Sequence, residues 1–182
     1  NYVLPDGSLT MAFEKKDIDK RLEDVVKEVL ENSNGFALPG WEPERLAEVQ
    51  TLFAKYSAVD DQKLRENLVY FLQAVIPVCE EVGVKMAIHP DDPPYSIFGL
   101  PRVVKNRDDL DWICRAVDSP ANGITLCTGS IAEDPDNDVY AILAEFTRRK
   151  RIHFAHVRNI KLMQDKDFYE CAHPSEYGSL DM

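Results

Sequence analysis

The sequence predicts an α/β protein built on parallel strands. Three segments carry that reading: residues 84–89 (VKMAIH), 123–127 (GITLC) and 151–156 (RIHFAH). Each is a short apolar, β-prone run with turn or loop chemistry after it. Helical patterns separate the runs, and strands joined through helices run parallel. Parallel strands bring their C-terminal ends to one side of a sheet, where α/β barrels and open α/β sheets build their sites. Here each strand stops on a residue type that binds metal: His89, Cys127 or His156.

The elements follow in order. Residues 1–14 hold the turn Pro5-Asp6-Gly7-Ser8 between short extended pieces, which predicts a hairpin or a loop excursion. Over 17–32, Ile18, Leu22, Val25, Val26 and Val29 share one helical face. Asn32-Ser33-Asn34-Gly35 ends that helix, Pro39-Gly40-Trp41 turns, and a second helix spans 42–56. A third, long helix starts near Asp60 and runs through Leu64, Leu68, Phe71, Leu72 and Val75. Pro77 lies inside it and predicts a kink; Gly83 breaks it before the first strand. After His89, Pro90-Asp91-Asp92-Pro93-Pro94 makes a stiff loop, because proline fixes φ. A helix at 107–118 leads to the second strand, and Cys127-Thr128-Gly129-Ser130 reads as a small-residue loop. A helix at 138–149 leads to the third strand. From Arg158 onward the chain reads as polar and irregular.

The whole is a single domain. Residues 1–59 form a hairpin or loop with a helical excursion, and 60–182 carry the βα units and the candidate site. A closed eight-unit barrel needs about 250 residues. With 182 residues and three βα steps, or at most a fourth, this chain reads as part of such a barrel, with open sheet edges. It begins with Asn1 rather than Met, as expected of a piece of a longer polypeptide.

Composition narrows the function. Hydrophobic residues make up 45% and charged residues 29%, a globular mixture. The net charge of -11 argues against nucleic acid, whose phosphates need a basic face. No run approaches a membrane span and no signal peptide is evident, so no membrane association is expected. The four cysteines show no CxxC pairing, which fits a reducing, cytoplasmic setting. Cys79 and Cys114 fall in helical patterns and read as buried small hydrophobes.

Taken singly, a histidine at a strand end is more often a surface or hydrogen-bonded residue than a ligand, and a strand cysteine is usually just buried. Three such residues at equivalent strand ends make a credible set for a divalent transition metal, with at least one ligand still to be found. His153, three residues before His156, should face the other way and pack under a helix. Asp91 and Asp92 read either as turn caps or as carboxylates that orient His89 or hold a water. Arg158 reads as a surface ion pair or as a clamp for a substrate carboxylate, which its planar fork suits. His173 lies in a loop, with an active-site role as the minority reading.

The segments His89-Pro90-Asp91-Asp92-Pro93-Pro94, Phe98-Gly99-Leu100-Pro101-Arg102, Asp118-Ser119-Pro120-Ala121-Asn122-Gly123, Cys127-Thr128-Gly129-Ser130 and His156-Val157-Arg158-Asn159 resemble those of the mannonate dehydratase family. The resemblance covers most of 60–182, with matching order and spacing. It implies a TIM-type (α/β)8 barrel similar to the xylose isomerase group, only part of it in this chain. It implies a Mn²⁺ or Fe²⁺ ion on His89, Cys127 and His156. It also implies conversion of D-mannonate to 2-keto-3-deoxy-D-gluconate and water, in hexuronate catabolism. A fourth ligand is expected beyond Met182, with Asp181 as the local fallback. Arg158 and Asn159 are the substrate-binding expectations; Asp91 and His173 are the local acid–base candidates. A homo-oligomer is expected. The alternatives are a metal-dependent sugar isomerase or epimerase of the same barrel group, or an inactive barrel fragment. The cysteine ligand argues against the isomerase, whose metal sites favour carboxylates.

Overall fold

The computed structural model describes residues 2–17, 24 and 43–182. The helix expected at 17–32 and the turns after it therefore fall largely outside the described residues. The elements are β1 (Tyr2–Val3), β2 (Leu9–Thr10), β3 (Ala12–Phe13), α1 (Pro43–Tyr56), α2 (Asp61–Val82), β4 (Met86–Ile88), α3 (Arg107–Ala116), β5 (Asn122–Cys127), α4 (Thr128–Ala132), α5 (Val139–Arg148), β6 (Ile152–His156), β7 (Asn159–Leu162) and β8 (Phe168–Cys171).

Local chemistry sets the helix ends. Asp60, Asn106 and Asp138 each accept a hydrogen bond from a first-turn amide, at 2.8, 3.0 and 2.9 Å, and so cap α2, α3 and α5. Gly83 ends α2 at φ 71°, and its amide reaches the carbonyls of Cys79 and Glu80. Pro77 lies inside α2 without interrupting it.

The central sheet has the order β4–β5–β6, all parallel. β5 is buried at every position, which is why its sequence runs apolar without alternation. Leu72 and Ile76 of α2, Leu110 and Ile113 of α3, and Ile142 and Phe146 of α5 pack with Ile124 and Leu126 of β5 in one core. Phe146 is 0% exposed. In full-length protein, Phe146→Ala is expected to lower stability by about 3–5 kcal/mol, read as a fall in the urea midpoint at unchanged slope.

Three expectations are corrected. The region after Arg158 is not irregular: β7 and β8 pair antiparallel, and β3 adds to β8. The turn between them passes through Asp165 (φ 57°) and Lys166 (φ 69°). Two successive positive φ values are the hairpin geometry that Asn-Gly signals; Asp-Lys in those places hides it. Next, Thr128-Gly129-Ser130 is not a loop but opens α4. Lastly, His153 does not pack under a helix. Its Nδ1 donates to the Met86 carbonyl of β4 at 2.6 Å. Ile124 pairs with Ile152 and Thr125 with Phe154, so β6 bulges at His153 and strict alternation lapses there.

Candidate metal centre

The parallel register brings the three strand ends together. Cys127 and His156 are the last residues of β5 and β6 and pair directly, and His89 follows β4 by one residue. The donor atoms of His89, Cys127 and His156 lie within 4.8 Å of one another. His89 Nε2 is 3.4 Å from His156 Nδ1, and Cys127 Sγ is 3.5 Å from the same nitrogen. Zinc-like bonds of about 2.0–2.3 Å at tetrahedral angles separate donor atoms by roughly 3.3–3.7 Å, so these spacings fit one cation. His89 Nδ1 donates to the Pro90 carbonyl at 2.7 Å, which leaves Nε2 as the lone-pair nitrogen facing the centre.

Beneath the sulfur lies a charged cluster. Arg158 Nη1 is 3.8 Å from Cys127 Sγ and donates to Ser130 Oγ at 3.1 Å and to Asp92 Oδ2 at 2.5 Å. Nη2 faces Glu170 and Glu133, the latter at 3.3 Å, and Nε reaches Glu170 Oε2 at 3.4 Å. The guanidinium's five N–H groups are thus engaged by the protein. Ser130 Oγ bridges Asp92 at 3.0 Å and Cys127 at 3.1 Å. Thr128 Oγ1 donates to the Arg158 carbonyl and accepts from its amide, fixing the strand exit against α4. Gly129 permits the approach, since a Cβ there would stand 2.8 Å from Arg158 Cβ.

Burial works against both charges of the Asp92–Arg158 pair. The hydrogen bonds and opposite charges outweigh it, holding Asp92 below and Arg158 above their ordinary values. Glu133 goes the other way. It is 0% exposed, and burial, followed by the charge of Asp92, pushes it up to about 9.

The remaining sequence candidates lie elsewhere. Asp91 Oδ2 accepts from the amides of Val103 and Val104 at 2.9 and 2.8 Å, and Oδ1 from Arg102 at 3.3 Å, so it ties down its own loop. Asn159 is 1% exposed; its Nδ2 donates to the His173 carbonyl at 3.1 Å and its Oδ1 accepts from Leu180 N at 3.2 Å. His173 is exposed and meets Asn159 through its backbone. Asp181 Oδ1 accepts from Ser175 at 2.8 Å, and the metal-donor group found among the described residues does not include it. Sequence reasoning assigned no role to Ser130, Glu133 or Glu170. The first two lie three and six residues past Cys127, a spacing that a helix after the strand would have flagged.

A family profile described as D-mannonate dehydratase (UxuA) matches residues 1–182. The chain belongs to the D-mannonate dehydratase family. It is 65% identical over 184 residues to the mannonate dehydratase of Lactococcus lactis subsp. cremoris, covering 100% of this chain and 51% of that protein. It is 53% identical over 180 residues to that of Thermotoga petrophila, covering 98% and 50%. The crystal structure of mannonate dehydratase from Streptococcus suis serotype 2 superposes with a TM-score of 0.80 at 40% identity, covering 98% of this chain and 45% of that one. The chain thus spans about half the length of the mannonate dehydratases it matches.

Proposed function

We propose that this chain forms the metal-binding part of a hydro-lyase that converts D-mannonate to 2-keto-3-deoxy-D-gluconate and water. The observation that carries the reading is the convergence of His89, Cys127 and His156 at the ends of three parallel strands in a member of this family. The parent architecture is an (α/β)8 barrel of the xylose isomerase kind, of which β4–β5–β6 and their helices are consecutive units. Support comes from the helix-linked parallel strands and from the site at their C-terminal ends.

The resident ion in this reading is Mn²⁺ or Fe²⁺. His89, Cys127 and His156 would hold it, with a further ligand outside residues 1–182. When bound, such an ion supplies Lewis-acid polarisation of the substrate's carboxylate and neighbouring hydroxyl. The chain's own residues support the thiolate: Ser130 offers it a hydroxyl and Arg158 a cationic N–H, while Asp92 stays 41% exposed beside them. Arg158 acts in this reading as a brace for the site rather than as a free substrate clamp, because its donors are engaged. Asn159 anchors the 173–180 segment.

The same reading takes a cytoplasmic enzyme acting on a small sugar acid, with neither nucleic acid nor membrane as partner. Among the described residues no helix is long and apolar enough to cross a membrane. It also takes a homo-oligomer, for which the exposed Tyr70, Val78 and Val82 along α2 offer an apolar surface. Metal analysis and product identification on one sample of full-length protein test the function. Bound Mn²⁺ or Fe²⁺ with 2-keto-3-deoxy-D-gluconate formed supports it; an isomerised sugar as the product sinks it.

A further inference from the structure

Glu133 is the one carboxyl of the Arg158 cluster that is wholly buried, and its surroundings are chemically odd. Three carboxyl groups, Asp92, Glu133 and Glu170, share a single guanidinium. Were all three ionised, the cluster would carry a surplus negative charge next to Cys127, with Glu133 wholly out of water. Burying an uncompensated carboxylate is costly, and the group escapes by taking a proton. Glu133 bears the signs of that escape. Its contact to Arg158 is long, at 3.3 Å, while Asp92 holds the same cation at 2.5 Å. Its Oε2 is buried and meets no donor among the described residues. A carboxylate oxygen in that place lacks a partner, but an O–H there needs only an acceptor. Asp92, held on the same guanidinium, is the neighbouring carboxylate that can supply one.

We propose that Glu133 is a neutral carboxylic acid that donates its proton to Asp92, and that this carboxyl pair positions Arg158 and Ser130 against Cys127. Glu133 touches neither substrate nor metal in this arrangement; it is a positioning residue, and the proposal rests on the metal-site reading above. The groups facing it are Asp92 from the loop after β4, Glu170 from β8, Arg158 and Tyr95: the two carboxylates penalise a charge on Glu133, Arg158 favours it, and Tyr95, itself raised by burial and its acidic neighbours, is uncharged at pH 7. Its ordinary value near 4.5 and its raised value of about 9 bracket the range in which the fold keeps this proton and the unfolded chain does not. Across that range the wild type loses stability as pH rises, because the unfolded state releases a proton that the folded state retains.

The test uses full-length, Mn²⁺-loaded protein in three forms. Glu133→Gln keeps size, neutrality and an N–H for Asp92, and is expected to match the wild type in Mn²⁺ affinity within about threefold at pH 7. It should also lack the stability loss between pH 5 and 9. Glu133→Leu keeps the volume but not the hydrogen bond, and is expected to bind Mn²⁺ about 10–100-fold more weakly, as removal of an outer partner does. Infrared difference spectra of the wild type should show a protonated-carboxyl C=O band at pH 7 that fades by pH 10 and is missing in Glu133→Gln. The proposal is overturned if Gln is as damaging as Leu, or if no such band belongs to Glu133. If the Leu variant does not fold, the Gln comparison and the infrared band in folded protein decide. A wild type that binds no Mn²⁺ would instead sink the metal-site reading, while the infrared band still settles the proton on Glu133.

Discussion

Full-length protein carrying Cys127→Ala is expected to fold, to lose its Mn²⁺ or Fe²⁺, and to leave D-mannonate unchanged. Cys127 is 0% exposed and is the one buried donor of the three, 3.5 Å from His156 Nδ1 and flanked by Ser130 and Arg158. Its removal leaves two imidazoles from this part of the chain and takes away the one thiolate, the anionic donor of the three. Loss of an outer partner alone weakens metal sites by about 10–100-fold, so loss of this ligand should exceed about 100-fold. The fold should survive, because a small buried thiol packs as a small hydrophobe and alanine leaves only a modest void. Equilibrium dialysis with Mn²⁺ and a product assay read the two losses separately. Retained metal with retained turnover would remove Cys127 from the site. Retained metal with lost turnover would make it a reactive group instead of a ligand.

Arg158→Ala is the second large effect, and it should act first on stability. The guanidinium is 16% exposed and serves Asp92, Glu133 and Glu170 together. Asp92 is 41% and Glu170 25% exposed, so water screens part of what the deletion leaves unpaired, and the expected cost is about 1.5–3 kcal/mol, the size of a hydrogen bond to a charged group. Urea unfolding at pH 7 measures it. The pH dependence supplies a second readout with a definite sign. Arg158 holds Asp92 below its ordinary value, so the pair's stabilisation is present above the usual carboxylate range and is lost as pH falls through the lowered value. Arg158→Ala should therefore flatten the acid limb of the stability curve. A variant as stable as the wild type, with an unchanged acid limb, would show that the cluster is not a structural brace.

Much of this arrangement was legible in the chain. The three strand ends could be read because each strand is a short apolar run between turn signals, and because a parallel sheet leaves no choice about which ends meet. The helices starting near Asp60, at 107 and at 138 were legible as helical patterns, and the structure adds that Asp60, Asn106 and Asp138 cap them. The β7–β8 hairpin did not, since its strands have four residues each and its turn lacks glycine. The cluster around Arg158 was hidden for another reason. Its members come from the loop after β4, from α4, from the exit of β6 and from β8, and no local pattern joins segments so far apart. Asp91 and Asp92 are adjacent, yet one ties down a loop and the other meets the arginine. Only the path of the loop assigns those two roles.

The close approach of Gly129 to Arg158 carries an evolutionary consequence. A methyl group at position 129 would stand 2.8 Å from Arg158 Cβ and 3.0 Å from its Nε. Neither position is free to drift by itself. A lineage that acquires a side chain at 129 must first move the backbone at 158 or give up the side chain there, because the nearest atom is a Cβ, and a lineage that keeps the arginine in place keeps the bare backbone beside it. The two sites form a single heritable unit separated by 29 positions of sequence, and single-step substitution at the first should be among the least tolerated changes in this part of the chain.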